Sequence, residues 1–199
     1  MRRAQRRRNL VTTAIAIVVA AGVVWSLSST GANDGNGNVA PVNPDMTAEE
    51  AGCGDVESAE PQEAEHIAEG AEHEPYNTNP PTSGPHYGSP LAPIGTGFYS
   101  EPVEAEKVIH NLEHGQIVIY YNPDAPEDTV DDIVTLTKQE PEATVAVPYD
   151  DIEAPSQLVL AAWANLQECV QVAQEVVDEF RADFQGRGPE QVGIPTFEG

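Results

Sequence analysis

The chain has 199 residues and a formal net charge of −24 at pH 7, with 33 acidic side chains against nine basic ones. Five arginines lie within the first eight residues and contribute +5, so the rest of the chain carries a formal charge of −29. A domain this acidic repels phosphate backbones and anionic head groups, which argues against nucleic acid and lipid surfaces as its partners.

The N-terminus predicts a membrane anchor. Residues 1–9 are basic, and residues 10–28 carry no charge and are long enough to cross a hydrocarbon core as a helix. Arginines ahead of such a span keep the N-terminus in the cytoplasm, so we expect a single-pass plasma-membrane protein whose domain lies outside the cytoplasm. A cleaved signal peptide is the alternative, although its apolar region is normally shorter.

A linker and a disulfide are predicted next. Residues 29–50 include a stretch rich in Gly, Asn and Pro, which is typical of a flexible tether, and residues 51–199 would form the domain. Two cysteines, Cys53 and Cys169, both follow the anchor. Because thiols tend to oxidise outside the cytoplasm, we expect them to be bridged rather than to remain as two buried free thiols.

The middle of the chain predicts ordered loops and then regular elements. Residues 75–102 contain seven prolines and four glycines, a composition that favours turns. Residues 106–109 and 116–121 then read as strands. Residues 124–138 read as a helix, with Asp124 as its N-cap and Glu127 completing a capping box.

The C-terminal part predicts two more strands and a second helix. Residues 144–147 and 158–163 are the strands. The last helix is expected to begin after Asn165 as N-cap and to end at Gly186, with Cys169 on its inner face. We therefore expect an α+β domain, a small mixed or antiparallel sheet with two covering helices and long proline-rich loops, after a single N-terminal transmembrane helix.

One motif near the middle of the chain is shared with zinc enzymes. Residues 110–114 fit H-x-x-E-H, which on a helix lets two histidines bind zinc while the glutamate acts as general base. The strand-like residues on both sides and the early Gly115 leave room for one helical turn only. A metal-dependent hydrolase with Glu113 as base therefore remains an alternative and not the favoured interpretation.

All five histidines of the chain fall between residues 66 and 114. Imidazole is the commonest metal ligand in proteins, and an all-nitrogen set suits zinc or copper(II) better than calcium or magnesium. We predict that His86, His110 and His114 bind one ion, with His66 as a possible fourth ligand and Glu113 orienting a ligand imidazole through its second nitrogen. A metal-free structural or interaction domain of the cell envelope, with an unknown envelope partner, is the other alternative.

Two long segments of the chain carry a resemblance to a known family. "YNTNPPTSGPHY" followed by "VIHNLEHGQIVIYY", with a closing "FRADFQGRGPE", resembles the bacterial family catalogued as domain of unknown function 3105, over about residues 66–190. The resemblance implies a single-span or secreted bacterial protein and no particular activity. It also implies that the family's recurrent histidines form one site with Glu113, and that His73 lies outside it. The matching histidines are His66, His86, His110 and His114.

Overall fold

The computed structural model describes residues 39–197. The basic segment at 1–9 and the predicted membrane span at 10–28 lie outside the described residues. Within residues 39–197, no helix combines the length and the apolar character needed to cross a membrane. The end of the predicted linker packs against the domain, because Val42 is buried and its N–H donates to Gln174 Oε1 at 2.8 Å.

Residues 39–197 form four helices and eight strands. In chain order the elements are α1 (Ala48–Ala51), β1 (Glu57–Ser58), β2 (His66–Ile67), β3 (His86–Tyr87), β4 (Gly97–Phe98), α2 (Ala105–Glu113), β5 (Ile117–Tyr121), α3 (Glu127–Gln139), β6 (Thr144–Pro148), β7 (Leu158–Ala162), β8 (Asn165–Cys169) and α4 (Gln174–Phe184).

Six strands form one mixed sheet in the order β1-β8-β7-β5-β6-β4, and β2 and β3 form a separate ribbon. β6 runs parallel to both β5 and β4, while β5–β7, β7–β8 and β1–β8 are antiparallel. Every residue of β5 is buried, as expected of a β-branched and aromatic strand covered on both faces. The predicted α+β class with a mixed sheet is confirmed, but three helices, α2, α3 and α4, pack on the sheet where two were predicted.

Helices cover both faces of the sheet. Alternate residues of a strand point to opposite faces, so β5 contributes to two separate cores. Ile119 lies in the core that contains Leu136 of α3 and Phe180 of α4. Tyr120 lies in the other core, with Leu112 of α2. The second core holds α2 against the sheet, and the far end of that helix carries the histidine motif.

The predicted strand at residues 106–109 was wrong, because these residues belong to α2. Val108 and Ile109 are β-branched, and β-branched residues suggested a strand. The helical signal is the i, i+4 spacing of Val108 and Leu112, which are both fully buried on the sheet. Burial of this face outweighs the weak helix propensity of the β-branched side chains.

The predicted start of the last helix was also wrong. Residues Asn165–Cys169 form β8, which pairs with β7 through a turn in which Ala164 has a positive φ of 60°. Pairing in a hairpin with the preceding strand therefore decides the structure of this segment. α4 begins at Gln174 instead, and Gly186, with a φ of 72°, follows its end as predicted.

The predicted capping box of α3 is absent. The helix begins at Glu127, after Pro126 in the N-cap position, and no side chain caps it. The N–H of Asp124 donates instead to the side-chain oxygen of Asn122 at 2.9 Å, so this residue belongs to the turn that precedes the helix.

The predicted disulfide between Cys53 and Cys169 is confirmed. It joins the segment that follows α1 to the last residue of β8. Cys169 was predicted to lie on the final helix. Because residues Asn165–Cys169 form a strand, the bridge instead joins the N-terminal segment to the sheet.

Candidate metal centre

His66 and His86 lie side by side on the β2–β3 ribbon. The two strands are parallel, and their register places His66 opposite His86 and Ile67 opposite Tyr87. The N–H of His86 donates to the carbonyl of Glu65 at 2.9 Å. The two imidazole rings meet edge to face, with centroids 4.9 Å apart. The ribbon thereby brings together two histidines from separate loops.

The C-terminal end of α2 presents the H-x-x-E-H motif to this ribbon. His110 and Glu113 lie in its last turn, and His114 follows directly in a helical conformation. Residues spaced i, i+3 and i+4 share one face of a helix, so the three side chains point the same way. The motif is therefore helical. The prediction that residues before it form a strand, which argued against a zinc-enzyme motif, was wrong.

Three histidine nitrogens face one carboxylate oxygen. Glu113 Oε2 lies 2.9 Å from His86 Nε2, 3.4 Å from His66 Nε2 and 4.0 Å from His110 Nε2. The ring centroids of His86 and His110 are 5.0 Å apart. The four ligand atoms all lie within 4.8 Å of one another, so this group can hold a metal ion.

Backbone carbonyls take the other nitrogens of the two buried imidazoles. His86 Nδ1 donates to the carbonyl of Gly84 at 2.8 Å, and His110 Nδ1 donates to the carbonyl of Tyr87 at 2.7 Å. In its neutral form, each ring therefore carries its lone pair on Nε2, the atom that faces the centre of the site. Such contacts to the outer nitrogen orient metal-binding histidines in many proteins.

The centre of the site is buried and holds a negative charge. His86, His110 and Glu113 are 0%, 4% and 6% exposed, whereas His66 is exposed. Burial, helped by the neighbouring His114 and His86, lowers the pKa of His110, although the Tyr87 carbonyl and the Glu113 carboxylate work in the opposite direction. No lysine or arginine in residues 39–197 forms an ion pair with Glu113, so the charge on this carboxylate faces imidazoles only.

A second carboxylate approaches the site from the C-terminal segment. His114 Nε2 lies 3.0 Å from His110 Nε2 and 3.3 Å from Glu190 Oε2. His110, Glu113, His114 and Glu190 form a second group of ligand atoms that all lie within 4.8 Å of one another. Sequence reasoning missed Glu190 because it is far from the other ligands along the chain, and no spacing rule connects it to them.

Glycines allow the C-terminal segment to contact the end of α2. The N–H of Gly186 donates to the carbonyl of Gly115 at 2.8 Å, and the N–H of Glu190 donates to the carbonyl of Glu113 at 3.1 Å. A Cβ atom on Gly188 would collide with the carbonyl oxygen of Glu113, and one on Gly115 would lie 2.8 Å from the backbone nitrogen of Gly188. Backbone contacts therefore place Glu190 beside His114.

Comparison with known proteins gives one match. A family described as "Protein of unknown function (DUF3105)" matches residues 66–195, about two thirds of the chain. The chain belongs to this family. No curated protein and no solved structure matches it significantly. The match confirms the resemblance in the two histidine-containing segments, and it spans both ligand groups of this DUF3105 domain.

The structure brings all four predicted histidines of the DUF3105 domain to one place, but not into one group. His66, His86 and His110 share the first group with Glu113, while His114 joins His110 in the second. His73 lies outside both, with Nδ1 2.8 Å from the carbonyl of Glu74 and Nε2 3.3 Å from Glu106 Oε1. Glu113 was predicted to orient a ligand imidazole through its second nitrogen. For the two buried imidazoles, backbone carbonyls make that contact instead.

The site opens to the surface. A depression of about 780 Å³ is lined by residues of β2, of α2 and of the loop that follows β3, and it includes His66, His110, His114 and Glu190. Solvent ions can therefore reach the ligand atoms from this side. On the other side the site is closed by buried His86, whose ring meets Trp163 edge to face with centroids 6.2 Å apart.

Proposed function

We propose that this DUF3105 domain binds a transition metal, zinc or copper(II), through His66, His86, His110 and His114 together with Glu113, and that it does so outside the cytoplasm on a membrane tether. One observation carries the proposal. The outer nitrogens of His86 and His110 are both committed to backbone carbonyls, so two lone pairs converge on a buried carboxylate that has no cationic side chain beside it.

A metal-free site would need protons in place of the ion. One would lie between His86 Nε2 and Glu113 Oε2, at 2.9 Å, and another between His110 and His114, at 3.0 Å. Burial lowers the pKa of His110 and so disfavours its charged form. A divalent cation placed among His66, His86, His110 and Glu113 satisfies the carboxylate and the lone pairs of that group, and the acidic charge of the surrounding domain attracts it.

The ligand set favours zinc or copper(II) over hard cations. Imidazole nitrogens suit zinc and copper, whereas calcium and magnesium prefer oxygen ligands. Nitrogen predominates among the converging ligand atoms, with carboxylate oxygen in the minority. The charge of Glu113 would offset one of the two positive charges of the ion.

A metal-dependent hydrolase is a second candidate, favoured by the helical placement of H-x-x-E-H and by the open depression beside it. In such enzymes the glutamate activates a metal-bound water and does not itself hold the metal. Replacing Glu113 by Gln tests this role. A hydrolase would keep its metal and lose activity in Glu113→Gln, whereas a binding domain that uses the carboxylate as a ligand would lose metal affinity.

The test of metal binding is the metal content of the natively purified full-length chain, measured by mass spectrometry. We expect zinc or copper in the wild type and in His73→Ala, which removes the one histidine outside both groups. The double variant His86→Ala/His110→Ala removes two ligands of the first group and one of the second, and it should contain neither metal. Equal metal content in the double variant and the wild type would contradict the proposal.

A further inference from the structure

The ligand atoms of the site form two overlapping groups. His66 and His86 belong only to the first group, whereas His114 and Glu190 belong only to the second. Within each group all atoms lie within 4.8 Å of one another, but no larger group of the described residues meets this limit. Ligands on one ion, with bonds of about 2.0–2.2 Å, lie roughly 3–4 Å apart. One ion therefore cannot bind all six residues of the two groups.

We propose, building on the metal-binding function above, that the cluster holds two transition-metal ions side by side. The first ion is bound by His66, His86 and Glu113. The second ion is bound by His110, His114 and Glu190. Each ion thus receives two imidazoles and at least one carboxylate from the protein, and the open depression leaves further positions for water.

The distances assign His110 to the second ion. Its Nε2 lies 3.0 Å from His114 Nε2 but 4.0 Å from Glu113 Oε2. Because its Nδ1 donates to the carbonyl of Tyr87, His110 offers a single lone pair and can serve only one ion. His86 and His66, at 2.9 Å and 3.4 Å from Glu113 Oε2, then complete the first ion's ligands.

Glu113 lies where a bridge between the ions is needed. It belongs to both groups, and a carboxylate has two oxygens with which to contact two ions. Paired ions in such sites lie about 3.5–4 Å apart. Glu113 and Glu190 together offset half the charge of two divalent ions, and the acidic remainder of the domain lowers the cost of holding both.

The second ion also explains why the C-terminal segment is held so closely to α2. Glu190 reaches His114 because its own N–H donates to the carbonyl of Glu113, and because Gly188 has no side chain to block that approach. Two of the second ion's ligands come from α2 or its cap, and the third comes from the segment after α4. Binding of this ion would therefore fasten the C-terminal segment to the helix.

The test counts zinc ions bound to the full-length chain by native mass spectrometry. The protein is loaded with Zn²⁺ and then dialysed against excess Mg²⁺, which displaces zinc from surface carboxylates because magnesium prefers oxygen ligands. We expect two ions in the wild type, one in Glu190→Gln and one in His66→Ala. Glu106→Gln is the matched control, because Glu106 contacts His73 at 3.3 Å just as Glu190 contacts His114 at 3.3 Å. The control should keep both ions.

The counts separate this inference from the proposed function. One ion in both the wild type and Glu190→Gln overturns the two-ion centre and leaves metal binding intact. Two ions in Glu190→Gln, or the loss of both, overturns the assignment of Glu190 to a second ion. A wild type without zinc overturns the two-ion centre and zinc binding together.

Discussion

At the scale of single residues, two carbonyl groups determine what the buried imidazoles can do. The carbonyls of Gly84 and Tyr87 accept from Nδ1 of His86 and His110, so both rings are oriented before any ion arrives. An oriented ligand loses less conformational freedom when it binds, and binding is tighter for that reason. The backbone of the loop at Gly84 and of the ribbon at Tyr87 thus determines where the Nε2 lone pairs of His86 and His110 point.

His110 should therefore be a neutral Nδ1–H imidazole at pH 7 in the metal-free protein. Its pKa is lowered from the ordinary value of 6.5, mainly by burial, so the midpoint of its titration should lie below about pH 6.5. Long-range ¹H–¹⁵N NMR distinguishes the two tautomers and follows the titration. A proton on Nε2 at pH 7, or a titration midpoint above pH 6.5, would contradict the geometry.

At the scale of elements, the end of α2 and the segment after α4 behave as one unit. Their backbones are joined by donations from Gly186 to Gly115 and from Glu190 to Glu113, and the glycines leave no room for side chains between them. Because α2 and its cap carry three side chains of the site, the geometry of the site depends on this contact between the two backbones. A disturbance of the segment should reach the site even though most of its residues are not ligands.

Gly188→Ala tests this dependence. The new Cβ would collide with the carbonyl oxygen of Glu113, so backbone must move, at a cost of about 1–3 kcal/mol in the free energy of unfolding. We also expect zinc affinity to fall. Gly54→Ala is the control, because a Cβ there meets nothing within 4 Å. Urea unfolding and zinc titration of both variants give the comparison, and equal behaviour would show that the segment does not support the site.

Elements with strong local signals were predictable from the sequence, and elements decided by what they pack against or pair with were not. β5, β6 and β7 are short and largely apolar, and β5 and β6 are also rich in β-branched residues, so their positions were predicted closely. α2 was missed because β-branched residues suggested a strand, and only burial on the sheet makes it a helix. β8 was taken for part of a helix because its pairing with β7 cannot be read from its own residues.

Site residues that lie close together along the chain were predictable, and those brought together only by the fold were not. Its four histidines and Glu113 could be named because they cluster along the chain and lie in two recognisable motifs. Glu190 could not, because it meets His114 only through the fold of the last segment. The division of the ligand atoms into two groups could not be predicted from the sequence either. It depends on distances between side chains that share no helix or strand.

At the scale of the whole molecule, the described chain is closed by a long-range bridge. Cys53 and Cys169 are separated by 116 positions, and the bond fastens the N-terminal segment to an edge region of the sheet. Cross-linking a loop of this length reduces the entropy of the unfolded chain. The bridge also agrees with a domain that folds in an oxidising compartment.

Removing the bridge should destabilise the domain. In Cys53→Ser/Cys169→Ser, we expect the free energy of unfolding to fall by about 4–5 kcal/mol, from chain-entropy estimates for a loop of this length. Urea unfolding gives the value, and reduction of the wild type should produce the same loss. A double variant as stable as the oxidised wild type would show that the bridge contributes little.

The orientation of the chain in the membrane remains a prediction from its arginine-flanked apolar span. A reporter fused after Gly199 should be active only outside the cytoplasm, with the uncleaved protein in the membrane fraction. Activity of the fusion in the cytoplasm would overturn export. A mature protein that begins near Asn33 would preserve export but replace the anchor with a cleaved signal peptide.

Anomalous X-ray scattering from crystals of the zinc-loaded protein would show whether the clustered imidazoles hold a transition metal. Data collected above and below the zinc absorption edge locate zinc without reference to the protein coordinates. We expect anomalous density about 2.0–2.1 Å from Nε2 of His86 and beside Glu113. Anomalous density only at surface carboxylates, with the four histidines joined by hydrogen bonds alone, would contradict metal binding at this site.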